Sequence, residues 1–362
     1  MYLKNFYARY FRCITDLNVE FHTGMNIIIG ANAQGKTSLL EAIHFLSLAR
    51  SLRTNNEKEL VQYERDGFLL KGKVVSDEDM MEPISIDMKW VKGSKRIYVN
   101  GISLEKVSEL IGKMRIVFLT SDFSDLVSEG ASYRRRFMDV QLSQMDSAYL
   151  YALQGYQRAL RQRNELLRKP DVKQDELWIW EVQMAEFAKT LISKRSAFIK
   201  NLKPFASDIH NQIISDEKLE IGYLPDVLED VFLKKLEENR KTDIQRGQTI
   251  HGPHRDDIEV KINGYPVRQY ASQGQKKTCA YAIRISEIYL SKEKKEDFPI
   301  VLADELFSDL DPQRGKKFLE TIPEGIQVII TAVDEIFCRN LERKFDMYRI
   351  RSGNLEKSQE QA

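Results

Sequence analysis

An apolar run, Met25 to Ile29, passes without a gap into Gly30-Ala31-Asn32-Ala33-Gln34-Gly35-Lys36-Thr37, and a helix-like segment follows from Lys36 to Leu48. The eight residues fit G-x-x-x-x-G-K-S/T, a pattern that requires a strand before it and a helix after it. Glycines let main-chain N–H groups close on a phosphate, and the helix aims its positive N-terminus at the same anion. Lys36 would reach the β- and γ-phosphates of a nucleotide, and Thr37 would hold Mg2+. The candidate ATP contacts are Gly30, Ala31, Asn32, Ala33, Gln34, Gly35, Lys36, Thr37 and Ser38. The alternative, a strand-to-helix turn with an accidental lysine, needs a chance match that arises in roughly 1% of such chains.

A nucleotide site needs a metal carboxylate as well as a phosphate cradle. Pro299 to Ala303 is a second apolar run, and it ends in Asp304-Glu305. Buried parallel strands read this way, and acids at their carboxyl ends sit where α/β sheets bind ligands. Asp304 would contact Mg2+ directly or through water, and Glu305 would polarise the water attacking the γ-phosphate. Alone, such a run is equally a strand leaving a core; beside a phosphate loop it gains its meaning. Ser272-Gln273-Gly274-Gln275 precedes another helix-like segment, and a serine and a glycine at a helix N-terminus make a second anion site. As an isolated tetrapeptide it carries little weight.

The rest of the chain organises around these three elements. Strand-like runs occur at Val19–Phe21, Phe68–Val75, Ile84–Val91, Arg96–Val99 and Arg115–Leu119, with Asn100-Gly101 as a turn. From Tyr133 to Pro204 the pattern turns helical. Tyr149, Leu153, Tyr156, Leu160 and Leu167 repeat at helical spacing, Pro170 interrupts, and Leu177, Trp180, Met184, Phe187, Leu191, Phe198 and Leu202 repeat likewise. This predicts an antiparallel helical hairpin whose aromatics pack as core, with a second helix about 40 Å long. Short strands and turns follow from Asp243 to Gln275, then a helix to Leu290, a helix at Pro312–Leu319, a strand at Gln327–Ile330 and a frayed polar tail after Gly353. The expected fold is α/β with an inserted helical lobe. Its spans are 1–122 and 295–362 for the nucleotide-binding lobe, 123–250 for the helical insertion, and 251–294 for strands and the helix after Ser272.

Composition narrows the class. Apolar residues make up 42% of the 362 and charged residues 30%, enough for a real core. Lys and Arg number 55 against 54 Asp and Glu, so any nucleic-acid contact must come from a local patch. Cys13, Cys279 and Cys338 form no metal or disulfide pattern, and fit a reducing cytosol. The first residues, broken by Lys4, Arg9 and Arg12, do not read as a signal peptide, and no run is long and apolar enough to span a membrane.

In the order phosphate loop, helical insertion, S-x-G-Q, apolar-D-E and Ser308-Asp309-Leu310-Asp311, the chain resembles ABC-type P-loop ATPase heads. The finer resemblance is to the RecF family, in the SMC-like branch. It is carried by GANAQGKTSLLEAI (Gly30 to Ile43), Ser51-Leu52-Arg53-Thr54, Tyr133 to Asp139, Gly252-Pro253-His254-Arg255-Asp256-Asp257 and Ser272-Gln273-Gly274-Gln275, spread over nearly the whole chain. The resemblance implies a slow, DNA-stimulated ATPase of the cytoplasm that dimerises on ATP, with Ser272 to Gln275 closing over ATP held by the other subunit. It also implies binding of duplex DNA at single-strand gap junctions and loading of RecA with RecO and RecR. Two positions depart from the pattern: Asp304-Glu305 stands where two aspartates are expected, and Thr331-Ala332 occupies the region of a transporter's switch histidine.

Other residues admit two readings. His251 and His254 with Asp256 and Asp257 could suggest a metal, but Gly252-Pro253 prevents a helix between them, which favours a structural or nucleotide-linked role. Arg134 to Arg136 are either a solvated helix face or a contact near a subunit junction or DNA. Arg158, Arg161, Arg163 and Arg168, with Lys169, crowd one helix end and are the candidates for DNA backbone contact. Two other classes compete: the ATPase subunit of a membrane transporter, which the S-x-G-Q element and the helical insertion disfavour, and a small-molecule kinase, in which Ser272 to Gln275 would have no job.

Overall fold

The computed structural model describes residues 1–76, 82–305, 312–333 and 343–358. Ser308 to Asp311 and Cys338 lie outside them. The chain forms two compact units, Met1–Phe123 with Glu287–Ala362, and Ser124–Ser286.

The first unit holds two six-stranded sheets. One is antiparallel, in the order β2 (Ile14–Glu20), β1 (Tyr2–Phe11), β4 (Gly67–Val75), β5 (Ile84–Val91), β6 (Ser94–Val99) and β7 (Ile102–Ser103). Its alternation puts Phe6, Ala8, Phe68, Leu70, Ile86 and Met88 into a core shared with α1 (Lys36–Leu48), whose Phe45 stacks edge-on with Phe68. β1 was not legible as a strand: a register shift between Leu3 and Asn5 interrupts its period of two. The other sheet runs β15 (Asn354–Lys357), β14 (Phe345–Arg351), β3 (Met25–Ile29), β13 (Val328–Ala332), β12 (Ile300–Asp304), β8 (Ile116–Thr120). All its pairings are parallel except that of β14 with β15. β3, β12 and β13 are almost wholly buried, which is why their sequences are apolar without alternation. The tail expected to fray after Gly353 instead adds β15 to this sheet. α9 (Pro312–Glu320) also belongs to this unit.

The second unit is mainly helical: α2 (Asp125–Ser128), α3 (Ala131–Met145), α4 (Ser147–Leu167), α5 (Gln174–Ile213), α6 (Phe232–Arg246), α7 (Val267–Tyr270) and the start of α8 (Gln273–Lys295). A small antiparallel sheet, β11 (Tyr265–Pro266), β10 (Asp257–Ile262) and β9 (Leu219–Leu224), accompanies them. α4 and α5 form the expected hairpin. α5 runs 40 residues, about 60 Å, and so exceeds the expected length. It continues nine residues past Pro204; Pro204 and Lys200, whose carbonyl loses its helical partner, both lie on the exposed side, where the loss costs less than it would in the core. Among the described residues no helix is long and apolar enough to cross a membrane.

Candidate nucleotide site

Three parallel strands, β3, β13 and β12, lie side by side, and each delivers polar groups at its carboxyl end. β3 leads into the phosphate loop. Gly35 sits at φ 110°, a conformation that side chains resist, and a Cβ there would come within 2.9 Å of Cys13 Sγ. A Cβ on Gly30 would meet the Ile350 carbonyl at 2.7 Å, so both glycines are required by space, and Gly35 by its backbone angle as well. Gln34 is drawn away from the loop's mouth: its side-chain oxygen accepts from Ser352 N at 2.8 Å and its carbonyl from Gly353 N at 2.9 Å. The β14–β15 turn thereby braces the loop.

Lys36 is 3% exposed. Its ammonium donates to the carbonyls of Gly30 (2.7 Å) and Ala31 (3.1 Å) and pairs with Glu305 at 3.0 Å. Glu305 follows the end of β12 at φ 46°, an unusual backbone angle for a residue with a Cβ. Thr331, on the strand between, supplies what holds it. Its hydroxyl donates to Asp304 Oδ1 at 2.7 Å and accepts from Glu305 N at 2.9 Å. Burial pushes the Asp304 carboxyl up, while hydrogen bonds from Thr331 and Thr37 and the charge of Lys36 act the other way. The Thr37 hydroxyl and the Asp304 carboxylate are therefore in contact, and both are hard oxygen donors of the kind Mg2+ takes alongside nucleotide phosphates. The position that lacks a switch histidine thus carries a hydroxyl that fixes both acids.

Asn32, Ala33, Gly35, Lys36, Thr37, Ser38 and Glu305 line a cavity of about 430 Å3, together with Cys13 and Arg53. Reading the motif alone missed Cys13 and gave Arg53 no role. Ser51 explains Arg53: its hydroxyl donates to Glu41 at 2.5 Å and accepts from the main-chain N–H of Arg53 (3.0 Å) and Thr54 (3.2 Å). Glu41 in turn takes two bonds from the Arg12 guanidinium, at 3.0 and 3.1 Å. The signal was a serine two residues before an arginine, the pattern of a hydroxyl-stabilised turn.

Ser272 to Gln275 lie at the N-terminus of α8, in the second unit. Ser272 Oγ accepts from Gln275 N at 3.3 Å, and Gln275 Oε1 accepts from Ser272 N at 2.8 Å, a reciprocal cap. Because the Ser272 oxygen accepts from its own helix, its O–H remains available as a donor, and the residue is exposed, as is Gln273.

The DNA candidates divide. Arg158, Arg161 and Arg168 are exposed. Arg163 is 0% exposed, and the expectation that it meets DNA is wrong. It pairs with Glu181 at 2.9 Å and Asp243 at 2.7 Å and donates to Thr249 at 2.7 Å, so no face of it is left for a phosphate. Arg134 is likewise buried, pairing with Asp257 and the carbonyls of Leu126 and Glu129, and Arg135 donates to the Asp256 carbonyl. Of the two histidines, His251 bonds Asp226 at 3.1 Å, and His254 bonds the Tyr156 hydroxyl at 2.7 Å and the Thr249 carbonyl at 3.1 Å.

This fold, with a phosphate loop and a capped S-x-G-Q helix, defines an ABC-type ATPase head of the SMC kind. Residues 2–356 match the RecF/RecN/SMC N terminal domain. The chain is 36% identical to a DNA replication and repair protein RecF of Lactobacillus johnsonii, over 98% of this chain and 99% of that one, and 34% identical to that of Clostridium novyi over the same shares. A solved structure of the recombination mediator protein RecF-ATP in the RecFOR pathway superposes with a TM-score of 0.91 at 32% identity, covering 99% and 98% of the two chains. The Smc head domain of Pyrococcus furiosus shares the fold, with a TM-score of 0.59 at 14% identity. The chain belongs to the RecF family.

Proposed function

We propose that this protein is an ATP-gated DNA-binding protein of recombinational repair and replication, acting in the cytoplasm. It binds Mg-ATP at the phosphate loop and dimerises on it. It then holds duplex DNA at single-strand gap junctions, where it works with RecR and RecO to load RecA. One observation carries the reading: Lys36, Thr37 and Glu305 line one cavity at the carboxyl edge of a parallel sheet, and Asp304 reaches it through its bond with Thr37. The names of the relatives support repair and replication, and the ATP-bound neighbour supports the nucleotide.

On this reading the events follow in order. The entering γ-phosphate takes Lys36 from Glu305, exchanging one anionic partner for another. Thr37 and Asp304 would hold Mg2+, which would supply charge neutralisation to the phosphates. The freed Glu305 carboxylate faces the γ-phosphate and accepts the proton of the attacking water as the bond to the ADP oxygen breaks. The outward O–H of Ser272, with the N–H of Gly274, closes on the γ-phosphate held by a second subunit, so each dimer shares two ATP molecules across a two-fold axis. Phosphate release removes the shared anion, the subunits part and DNA is freed.

Two variants test this together. Lys36→Ala loses ATP binding, by about a hundredfold for one charge-assisted contact. Ser272→Arg keeps the ATP affinity of the isolated subunit and loses the dimer. Isothermal titration and light scattering in saturating Mg-ATP read the two effects. Wild-type dimerisation by Ser272→Arg would overturn the shared site.

A further inference from the structure

The amide of Gln275 is not left to choose its orientation. Its Nε2 donates to Glu217 Oε1 at 2.8 Å, and a carboxylate can only accept. The amide oxygen must then face the other way, toward Ser272 N, and it is found there at 2.8 Å. Glu217 is itself held. Its second oxygen, Oε2, meets Nε2 of His210, in the last turn of α5, at 3.1 Å. His210 is fully buried, and because a carboxylate only accepts, its Nε2–H donates to Glu217. Burial lowers the His210 pKa, which favours the neutral ring, while the Glu217 carboxylate acts the other way. A chain of directed bonds therefore runs from the end of the 40-residue helix to the first turn of α8.

We infer that Glu217 is a positioning residue for the partner-facing element: by fixing the Gln275 amide it sets the cap that leaves the Ser272 hydroxyl pointing outward. This rests on the reading that Ser272 meets the ATP of a second subunit. An amide in place of the carboxylate offers Gln275 a donor as well as an acceptor, so the Gln275 amide is free to turn its nitrogen toward Ser272 N, where two donors would face each other. The cap then opens, and Ser272 Oγ is free to turn its proton inward. Glu217 lies outside the phosphate loop and its acids, so its effect falls on assembly and on turnover that needs assembly, not on the affinity of the isolated subunit for ATP.

The test is an exchange of the two partners. Glu217→Gln weakens ATP-dependent dimerisation about tenfold, the effect of one charge-assisted bond. Gln275→Glu weakens it further, because two carboxylates then face each other. The double variant Glu217→Gln with Gln275→Glu restores donor to acceptor and recovers most of the wild-type dimerisation, although a structural defect would add rather than cancel. Each protein is titrated with Mg-ATP at several concentrations, with dimer fraction by light scattering and hydrolysis at saturating ATP. For Glu217→Gln the hydrolysis rate at saturating ATP falls and is regained on raising protein concentration, with the ATP affinity of the isolated subunit unchanged. A double variant no better than Gln275→Glu overturns the inference, as does a Glu217→Gln that dimerises like wild type. If Ser272→Arg also dimerises normally, the shared-site reading has failed; if Ser272→Arg alone fails to dimerise, only the role of Glu217 is lost.

Discussion

Lys36 in the first unit and Arg163 in the second are both buried cations, 3% and 0% exposed, with different surroundings. Lys36 touches two main-chain carbonyls and one carboxylate, and it lines an open cavity. The carboxylate it pairs with, Glu305, can be exchanged for a phosphate. Arg163 is enclosed by two carboxylates and a hydroxyl, and Glu181 is shared with Arg240. Arg195 repeats the pattern, bonding Asp139, Asp256, the Tyr149 hydroxyl and the Pro253 carbonyl. The difference teaches that a buried charge marks a ligand site only where its set of partners is incomplete on the side facing a cavity. A closed set fixes structure. The Arg163 set ties α4, α5 and α6 to Thr249, and the Arg195 set ties α3, α4 and α5 to Pro253 and Asp256, so the G-P-H-R-D-D segment acts as a clasp inside the second unit.

The largest effect tests the closed set. Arg163→Ala leaves Glu181 and Asp243 buried with one cation removed, and stability falls by about 3–5 kcal/mol. Denaturant unfolding of the purified variant measures it. A loss under about 1 kcal/mol would mean that the arginine behaves like a surface pair and that the comparison with Lys36 fails.

The next effect follows from His254, which burial lowers to about 4. Its Nδ1 accepts from the Tyr156 hydroxyl and its Nε2–H donates to the Thr249 carbonyl, so the clasp uses the neutral ring. The unfolded chain binds this proton more readily than the folded one. The stabilisation is therefore complete above the ordinary histidine pKa and is lost as pH falls toward 4. By about pH 5 the loss amounts to about 2 kcal/mol. His254→Gln, which can place an oxygen and an amide at the same two partners, has a flatter profile over that range. Equal slopes for the two proteins would remove the neutral ring from the argument.

What was legible in the sequence follows the same division. The phosphate loop is contiguous, and its chemistry is local, so eight residues were enough to single out Lys36 and Thr37 as candidates. Asp304 and Glu305 became candidates because an apolar strand announces its own carboxyl end. Thr331 was visible only as the absence of a histidine, since its bonds to Asp304 and Glu305 depend on β13 lying beside β12. The buried arginines were misread for a different reason. The buried stripe of α4 is Tyr149, Ala152, Tyr156, Ala159, Arg163 and Leu167, and that of α5 includes Leu177, Glu181, Met184, Ala188, Leu191, Arg195, Phe198 and Leu202. Arg163, Glu181 and Arg195 all keep helical register with their apolar neighbours. Position on the stripe could have identified them; weighing charge by residue type alone assigned Arg163 to solvent. The carboxylates that neutralise Arg163 come from other helices, and no single-helix pattern contains them.

The smallest effect concerns the arginines that the second unit leaves in solvent. Arg158 and Arg161 are exposed and three residues apart on α4, so they share a face, and Arg168 caps the same helix. With Arg163 withdrawn, these are the remaining candidates on α4 for a phosphate backbone. Such contacts release counterions and read no sequence, so each one lost lowers the log–log salt slope of duplex binding by roughly one unit. Arg158→Glu with Arg161→Glu should lower the slope by about two units, weaken all duplexes alike, and change folding stability by less than about 0.5 kcal/mol. Fluorescence anisotropy on two unrelated duplexes across a salt series, with saturating Mg-ATP, reads the first two; denaturant unfolding reads the third. An unchanged slope moves the DNA face off α4. A large stability loss would mean that these arginines, like Arg163, belong to a closed set, and the distinction between charges that hold the fold and charges that await a ligand would then fail on this helix.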